Sequence, residues 1–204
     1  MTRLLAAARA ASARLHSFRH DSRGLAALEF AIVLPVMLLV YVGTAELASA
    51  VDMSRKVSLV TRSVADITGR AAPDNMAPIF DAARVILQPY DSNRAKIVIS
   101  AMGVTKVNNQ ITGKVCSSAA TSNASARARG TVAGTSDLPP VPASFQFDKS
   151  RYLQAEVTMP YAPLMGSTIV AAIFGPGGLT IKEQIPWAER TDTEIVLPGG
   201  QKCA

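Results

Sequence analysis

The side chains that could carry chemistry in this chain are few, and their placement argues against catalysis. Only two histidines occur, His16 and His20, and both sit in the first 24 residues. A Ser–His or Cys–His pair, or a histidine metal ligand, has to draw on one of them. Gly113-Lys114 carries the last glycine and the lysine of a phosphate-binding loop. Asn108, however, stands where the first glycine belongs, and Val115 where Ser or Thr should follow. Glu183 with Glu189, and Asp192 with Glu194, offer paired carboxylates, but on strands and turns such charges are ordinarily solvated. Asn123-Ala124-Ser125 fits a glycosylation sequon, a three-residue pattern frequent by chance. The expectation is no enzyme, no cofactor and no bound metal.

Cys116 and Cys203 are the only cysteines. In an oxidising extracytoplasmic compartment they are expected to form one disulfide that pins the C-terminal tail back to the strands. Two unpaired thiols are the alternative. Closing a loop of about 87 residues contributes on the order of 4–5 kcal/mol in the chain-entropy account of disulfides.

One carboxylate stands in an unusual setting. From Leu25 to Leu47 the chain is apolar apart from Glu29, Glu46 and a few small or hydroxyl residues, and Phe30 to Ala45 carries no charge. Twenty-three residues at about 1.5 Å each make a helix of roughly 34 Å, against a hydrocarbon core of about 30 Å. Pro35 removes one backbone donor and frees the Ala31 carbonyl. A carboxylate in such a helix costs up to about 2.5–3.5 kcal/mol at the bilayer centre and less near an end, so it ordinarily has a functional partner. Glu29 follows Gly24 by five residues, in Arg23-Gly24-Leu25-Ala26-Ala27-Leu28-Glu29-Phe30. This resembles a prepilin peptidase site: a basic leader, Gly at its last position, then an apolar helix with Glu at the fifth residue. Cleavage after Gly24 makes Leu25 the new N-terminus, with its ammonium one turn from Glu29. In the pilin picture the carboxylate neutralises the N-terminal amine of a neighbouring subunit.

Charge supports a membrane topology rather than a nucleic-acid partner. The formal net charge is +6, yet residues 1–24 hold five arginines against one acid, leaving 16 basic and 14 acidic side chains elsewhere. The excess sits in the leader, where basic residues keep a flank on the cytoplasmic side. Arg127-Ala128-Arg129 is too small a cluster to argue for nucleic acid. Two other fates for the N-terminus remain open. Ala48-Ser49-Ala50 matches an ordinary signal-peptidase pattern, which would release a soluble periplasmic binding module beginning at Val51. An unprocessed signal anchor is the other.

Arg23–Ala50 resembles the TadE-like minor pseudopilins of the tight-adherence (Tad) pilus system. Gly24-Leu-Ala-Ala-Leu-Glu29-Phe30-Ala-Ile-Val-Leu-Pro35 is similar to the family's opening motif, and Gly43-Thr44-Ala45-Glu46-Leu47 to its second, membrane-proximal one. A further likeness runs through Ala155-Glu156-Val157-Thr158-Met159-Pro160-Tyr161-Ala162-Pro163. Where family members often carry an aromatic near the end of the second domain strand, this chain has Gly113-Lys114-Val115-Cys116. The resemblance implies processing by a prepilin peptidase at Gly24, Leu25, Glu29 and Phe30. It also implies partnership with other pilins and inner-membrane assembly proteins, and residence in the bacterial inner membrane with the C-terminal domain periplasmic.

The elements that must position these residues follow from periodicity. A leader (1–24) and a spanning helix (25–47) precede a membrane-proximal amphipathic helix (48–72), where Met53, Val57, Val60, Val64 and Ile67 form one stripe. Asp52/Lys56 and Arg62/Asp66 are placed for i,i+4 pairing, and Gly69 with Pro73 marks a stop. Residues 73–204 form an extracytoplasmic domain. A short helix is expected over Ala77–Leu87, and strands over Lys96–Met102, Gln110–Cys116, Arg151–Met159, Leu179–Trp187 and Glu194–Leu197. Asn108-Asn109 and Gly175-Pro-Gly-Gly178 provide turns, and Ser117–Pro142 reads as a long exposed loop. Helices followed by strands without βαβ alternation predict an α+β, pilin-like architecture with an antiparallel sheet.

Overall fold

The computed structural model describes residues 24–71, 73–135, 137–163, 178–191 and 194–203. The basic leader with His16 and His20, the turn from Gly175 to Gly177, and Asp192 lie outside the described residues. The architecture is α+β. A long helix α1 (Leu25–Ala71) is followed by α2 (Ala77–Ile86). The strands are β1 (Lys96–Val107), β2 (Gln110–Ala120), β3 (Arg151–Pro160) and β4 (Thr180–Ala188). All pairings are antiparallel, in the order β2-β1-β3-β4. The chain divides into two compact units at the Ala45/Glu46 boundary, which falls within α1.

The first unit is a helical segment whose large apolar side chains, from Leu25 through Tyr41, are exposed. This stretch makes α1 long and apolar enough to cross a membrane. The Thr44 hydroxyl within it is satisfied locally, donating to the Tyr41 carbonyl at 2.7 Å.

The second unit is built on the outer half of α1. Met53, Val57, Val60 and Val64 are essentially inaccessible and join Ile79, Phe80 and Ala83 of α2 over one face of the sheet. That face presents Ile97, Ile99 and Ala101 from β1 and Leu153, Ala155, Val157 and Met159 from β3. Ile67 departs from the expected stripe, being 42% exposed, while Thr61, Ala65, Thr68 and Gly69 are buried instead. At 3.6 residues per turn this rotates the buried face toward small residues, which lets the helix approach closely. A Cβ on Gly69 would lie 3.3 Å from the Ala188 carbonyl oxygen and 3.4 Å from Trp187. Gly69 is therefore also a contact point, two residues before the helix ends. The helix runs on to Ala71, and the Gly69 carbonyl accepts the Arg190 N–H at 2.9 Å.

The hairpin β1–β2 turns at Asn108 and Asn109, whose φ values of 49° and 65° suit a two-residue type I′ turn. Both strands run longer than their apolar cores predicted, because pairing extends to Val107↔Gln110 at the turn and Val98↔Ala120 at the far end. Ser117–Ala120 are thus strand rather than loop. The following segment is also less exposed than its small, polar composition indicated. Leu138 is buried with Met102, Val104, Val115 and Tyr152 in a second core on the opposite face of the sheet, where Phe145 stacks on Tyr152 at 4.8 Å. Central strand β3 feeds both cores by alternation, so Tyr152 through Val157 are all buried.

Residues 194–197 form no strand. They run as an irregular tail whose Ile195 and Leu197 are inserted into the main core, with the Leu197 N–H donating to Ser117 Oγ at 3.0 Å. The tail ends at Cys203, which is at disulfide distance from Cys116, with the Cα atoms 4.9 Å apart. Gly103 makes room for the bridge: a Cβ there would lie 2.6 Å from Cys203 Sγ and 2.9 Å from Cys116 Sγ.

Two outcomes follow from this packing. Leu153→Ala, at a fully buried position, is expected to lower the unfolding free energy by about 2–5 kcal/mol, read by denaturant titration in detergent. Gly103→Ala is expected to leave two titratable thiols per chain under non-reducing denaturing conditions. A variant with no thiols contradicts the stapling geometry.

Candidate functional site

The residues expected to direct processing lie at the start of α1. Gly24 precedes the helix in an exposed turn, and a Cβ added there meets nothing within 4 Å. Among the described residues there is therefore no steric reason for glycine at this position. Leu25 opens the helix, and Glu29 and Phe30 follow on its exposed surface. Among the described residues nothing pairs with the Glu29 side chain. Near the helix start, its charge is on the favourable side of the helix dipole.

The second carboxylate of the apolar region has a definite partner. Tyr161, just past the end of β3, donates its hydroxyl to Glu46 Oε2 at 2.5 Å and lies 3.1 Å from the Glu46 carbonyl. The two are 115 residues apart in sequence. Tyr161 is pushed up to about 12, first by burial and then by the hydrogen bond to Glu46. Two turns further along α1 a second tyrosine repeats the arrangement. Tyr90 donates to Asp52 Oδ2 and to the Ser49 carbonyl, each at 2.9 Å, and is also pushed up to about 12, again mainly by burial. Lys56 bonds the Gln88 carbonyl and lies 6.0 Å from the Tyr90 ring centroid. Asp52 and Lys56 thus turn to the domain, not to each other. Asp66 likewise pairs with Arg70 at 2.8 Å and Arg190 at 3.2 Å, leaving Arg62 aside. The effect is a double clamp holding Glu46 through Lys56 to the loops after β3 and α2.

This clamp joins two stretches that resemble family motifs separately, Gly43–Leu47 and Ala155–Pro163. Residues 24–66 match the family model TadE, described as TadE-like protein. The chain carries a TadE-like segment. The matched stretch begins at Gly24, contains Glu29 and Glu46, and ends within the half of α1 that lies on the sheet. The match supports a protein associated with the Tad pilus. Neither the curated proteins nor the solved structures include a match to the chain.

Beyond the TadE-like segment, the candidate polar residues serve the fold. Asn123 of the sequon donates to the Asn93 and Ala95 carbonyls at 2.7 and 3.0 Å. Arg127 forms a two-pronged pair with Glu156 at 2.5 and 2.6 Å, and Gln184 adds a donor to the same carboxylate. Glu183 accepts from Ser58 on α1 at 2.9 Å. The Arg127–Glu156 pair was not legible in the sequence, because its partners belong to a loop and a strand 29 residues apart.

Glu189 is raised to about 7, mainly by burial, with the neighbouring Glu194 adding to the shift and the Ile195 N–H and Arg151 opposing it. A carboxyl raised in the folded state contributes stability fully below its unfolded pKa, and loses it as pH rises through the folded value. Stability is therefore expected to decline between about pH 4.5 and 7, and Glu189→Gln to flatten that decline in thermal melts. Tyr161→Phe leaves the Glu46 carboxylate without its phenolic donor. It is expected to cost about 1–3 kcal/mol, measured by denaturant titration.

Proposed function

We propose that this chain is a minor pseudopilin that acts in assembly of a tight-adherence pilus, in a structural and not a catalytic role. A prepilin peptidase cuts between Gly24 and Leu25. The precursor sits in the bacterial inner membrane with its basic leader in the cytoplasm and the sheet domain in the periplasm. After cleavage, the apolar half of α1 packs with the helices of other pilins, and Glu29 offers its carboxylate to a neighbouring N-terminal amine.

The observation that carries this reading is register. The TadE-like match begins at Gly24 and holds Glu29 five residues on, in a helix long and apolar enough to cross a membrane. Physical chemistry supports each part. A glycine that no fold contact demands leaves the scissile backbone accessible. A carboxylate in an apolar helix is costly until a cation reaches it. Because the sheet domain grips the helix from Glu46 onward, the stretch before it is left for lipid or for other helices.

The test separates processing from assembly. Gly24→Val is expected to block maturation, with the leader retained on immunoblots of membrane fractions. Glu29→Ala is expected to be cleaved more nearly as the parent is, yet to lose most piliation. Unaltered piliation in Glu29→Ala overturns the subunit-pairing role, and normal maturation of Gly24→Val overturns the cleavage site.

A further inference from the structure

The helix-side face of the sheet continues beyond the end covered by the helices, and there the chain gathers positive charge. Lys114 on β2, Gly103 on β1 and Arg151 on β3 form one cross-strand row. At about 4.8 Å per strand step, the Lys114 and Arg151 backbones stand about 10 Å apart. Two long side chains can close on one small ion across that distance. Gly103 contributes no side chain between them, so the row is a trough. Its wall is the Cys116–Cys203 bridge, and Arg129 and Gly130 of the following loop complete a cavity of about 180 Å³.

Three cations line this enclosure, and none of its described lining residues is acidic. The Lys114 ammonium has no hydrogen-bond or ion-pair partner among the described residues. Arg129 is aimed by the tail, bonding the Gln201 side chain and the Lys202 carbonyl. Arg151 donates to the Ser150 carbonyl at 3.2 Å and pairs with Glu194, 3.9 Å from its Nε. Glu194 also accepts the Cys203 N–H and lies within 4.8 Å of both half-cystine sulfurs without lining the cavity. Like charges around a sheltered cleft repel one another and focus a field that draws in a counter-ion.

We propose that this trough binds a phosphate-class oxyanion, held by Lys114, Arg129 and Arg151. The cations approach from two strands and a loop, which suits a tetrahedral group with several acceptor oxygens better than a planar carboxylate. The guanidinium forks match phosphate geometry, and lysine serves as a point charge. The ion is either free phosphate or a phosphate carried on a sugar. Assembly of the site depends on the disulfide, since both half-cystines form part of its wall. The inference is independent of the pilus role, resting on a part of the chain outside the TadE-like match.

The test is isothermal titration of the full chain in non-ionic detergent, with inorganic phosphate and with glucose 6-phosphate, at ionic strength fixed by chloride. Saturable binding is expected for at least one of the two. Lys114→Gln and Arg129→Gln, both at exposed positions, are each expected to weaken it about tenfold. Lys182→Gln, a cation outside the trough, should leave it unchanged. The Cys116→Ser/Cys203→Ser double variant should lose it. Tighter binding of glucose 6-phosphate supports the site and assigns a phosphorylated glycan, while equal or weaker binding supports it and assigns free phosphate. The proposal is overturned if no saturable heat appears with either probe. It is also overturned if Lys114→Gln and Arg129→Gln bind as the parent does, or if Lys182→Gln weakens binding equally.

Discussion

A backbone that crosses hydrocarbon must satisfy its own hydrogen bonds, and a helix does so within itself. In this chain the helix that is long and apolar enough to cross a membrane runs on into the stretch that packs against the sheet. The two stretches differ. The stretch before Ala45 keeps large side chains exposed, whereas Met53, Val57, Val60 and Val64 are closed off under β1 and β3. The apolar character of the first half makes it fit to cross a membrane, and that of the other half answers to the sheet.

Glu46 and Asp52 lie between the exposed apolar stretch and the buried one that starts at Met53, and two tyrosines gather there. A carboxylate and an aspartate on adjoining turns are expensive near an apolar surface unless donors reach them. Tyrosine supplies a donor at the tip of an apolar ring, a combination suited to a boundary between water and hydrocarbon. Tyr161 and Tyr90 each take one acid and one stretch of helix backbone. The domain is therefore fixed to the helix by polar contacts at its start and by apolar packing along the rest. The far end is closed by Arg190, which bonds the Gly69 carbonyl and pairs with Asp66.

How much of this was legible depended on the range of the interaction. The long apolar helix, α2 and the four strands follow from local composition and periodicity, and the α+β reading stands. The stripe was legible through Val64 and then misplaced at Ile67, because the sheet selected small residues on an adjoining face. The tail at 194–197 looked like a strand because Ile195, Val196 and Leu197 form a short apolar, β-branched-rich run. Ile195 and Leu197 are buried in the core, but no strand ladder includes them. Contacts such as Glu46–Tyr161 and Arg127–Glu156 were invisible for a plain reason: neither partner's sequence neighbourhood specifies the other. The likeness of residues 155–163 to a family motif was the single hint that Tyr161 had a role.

The central claim is that α1 is a pilin-type helix beginning at Leu25, and the N-terminal residue of the mature protein addresses it directly. Intact mass and N-terminal sequencing of the chain extracted from membranes should give Leu25 as the first residue. A chain beginning at Val51, or one that keeps its leader, would contradict the account.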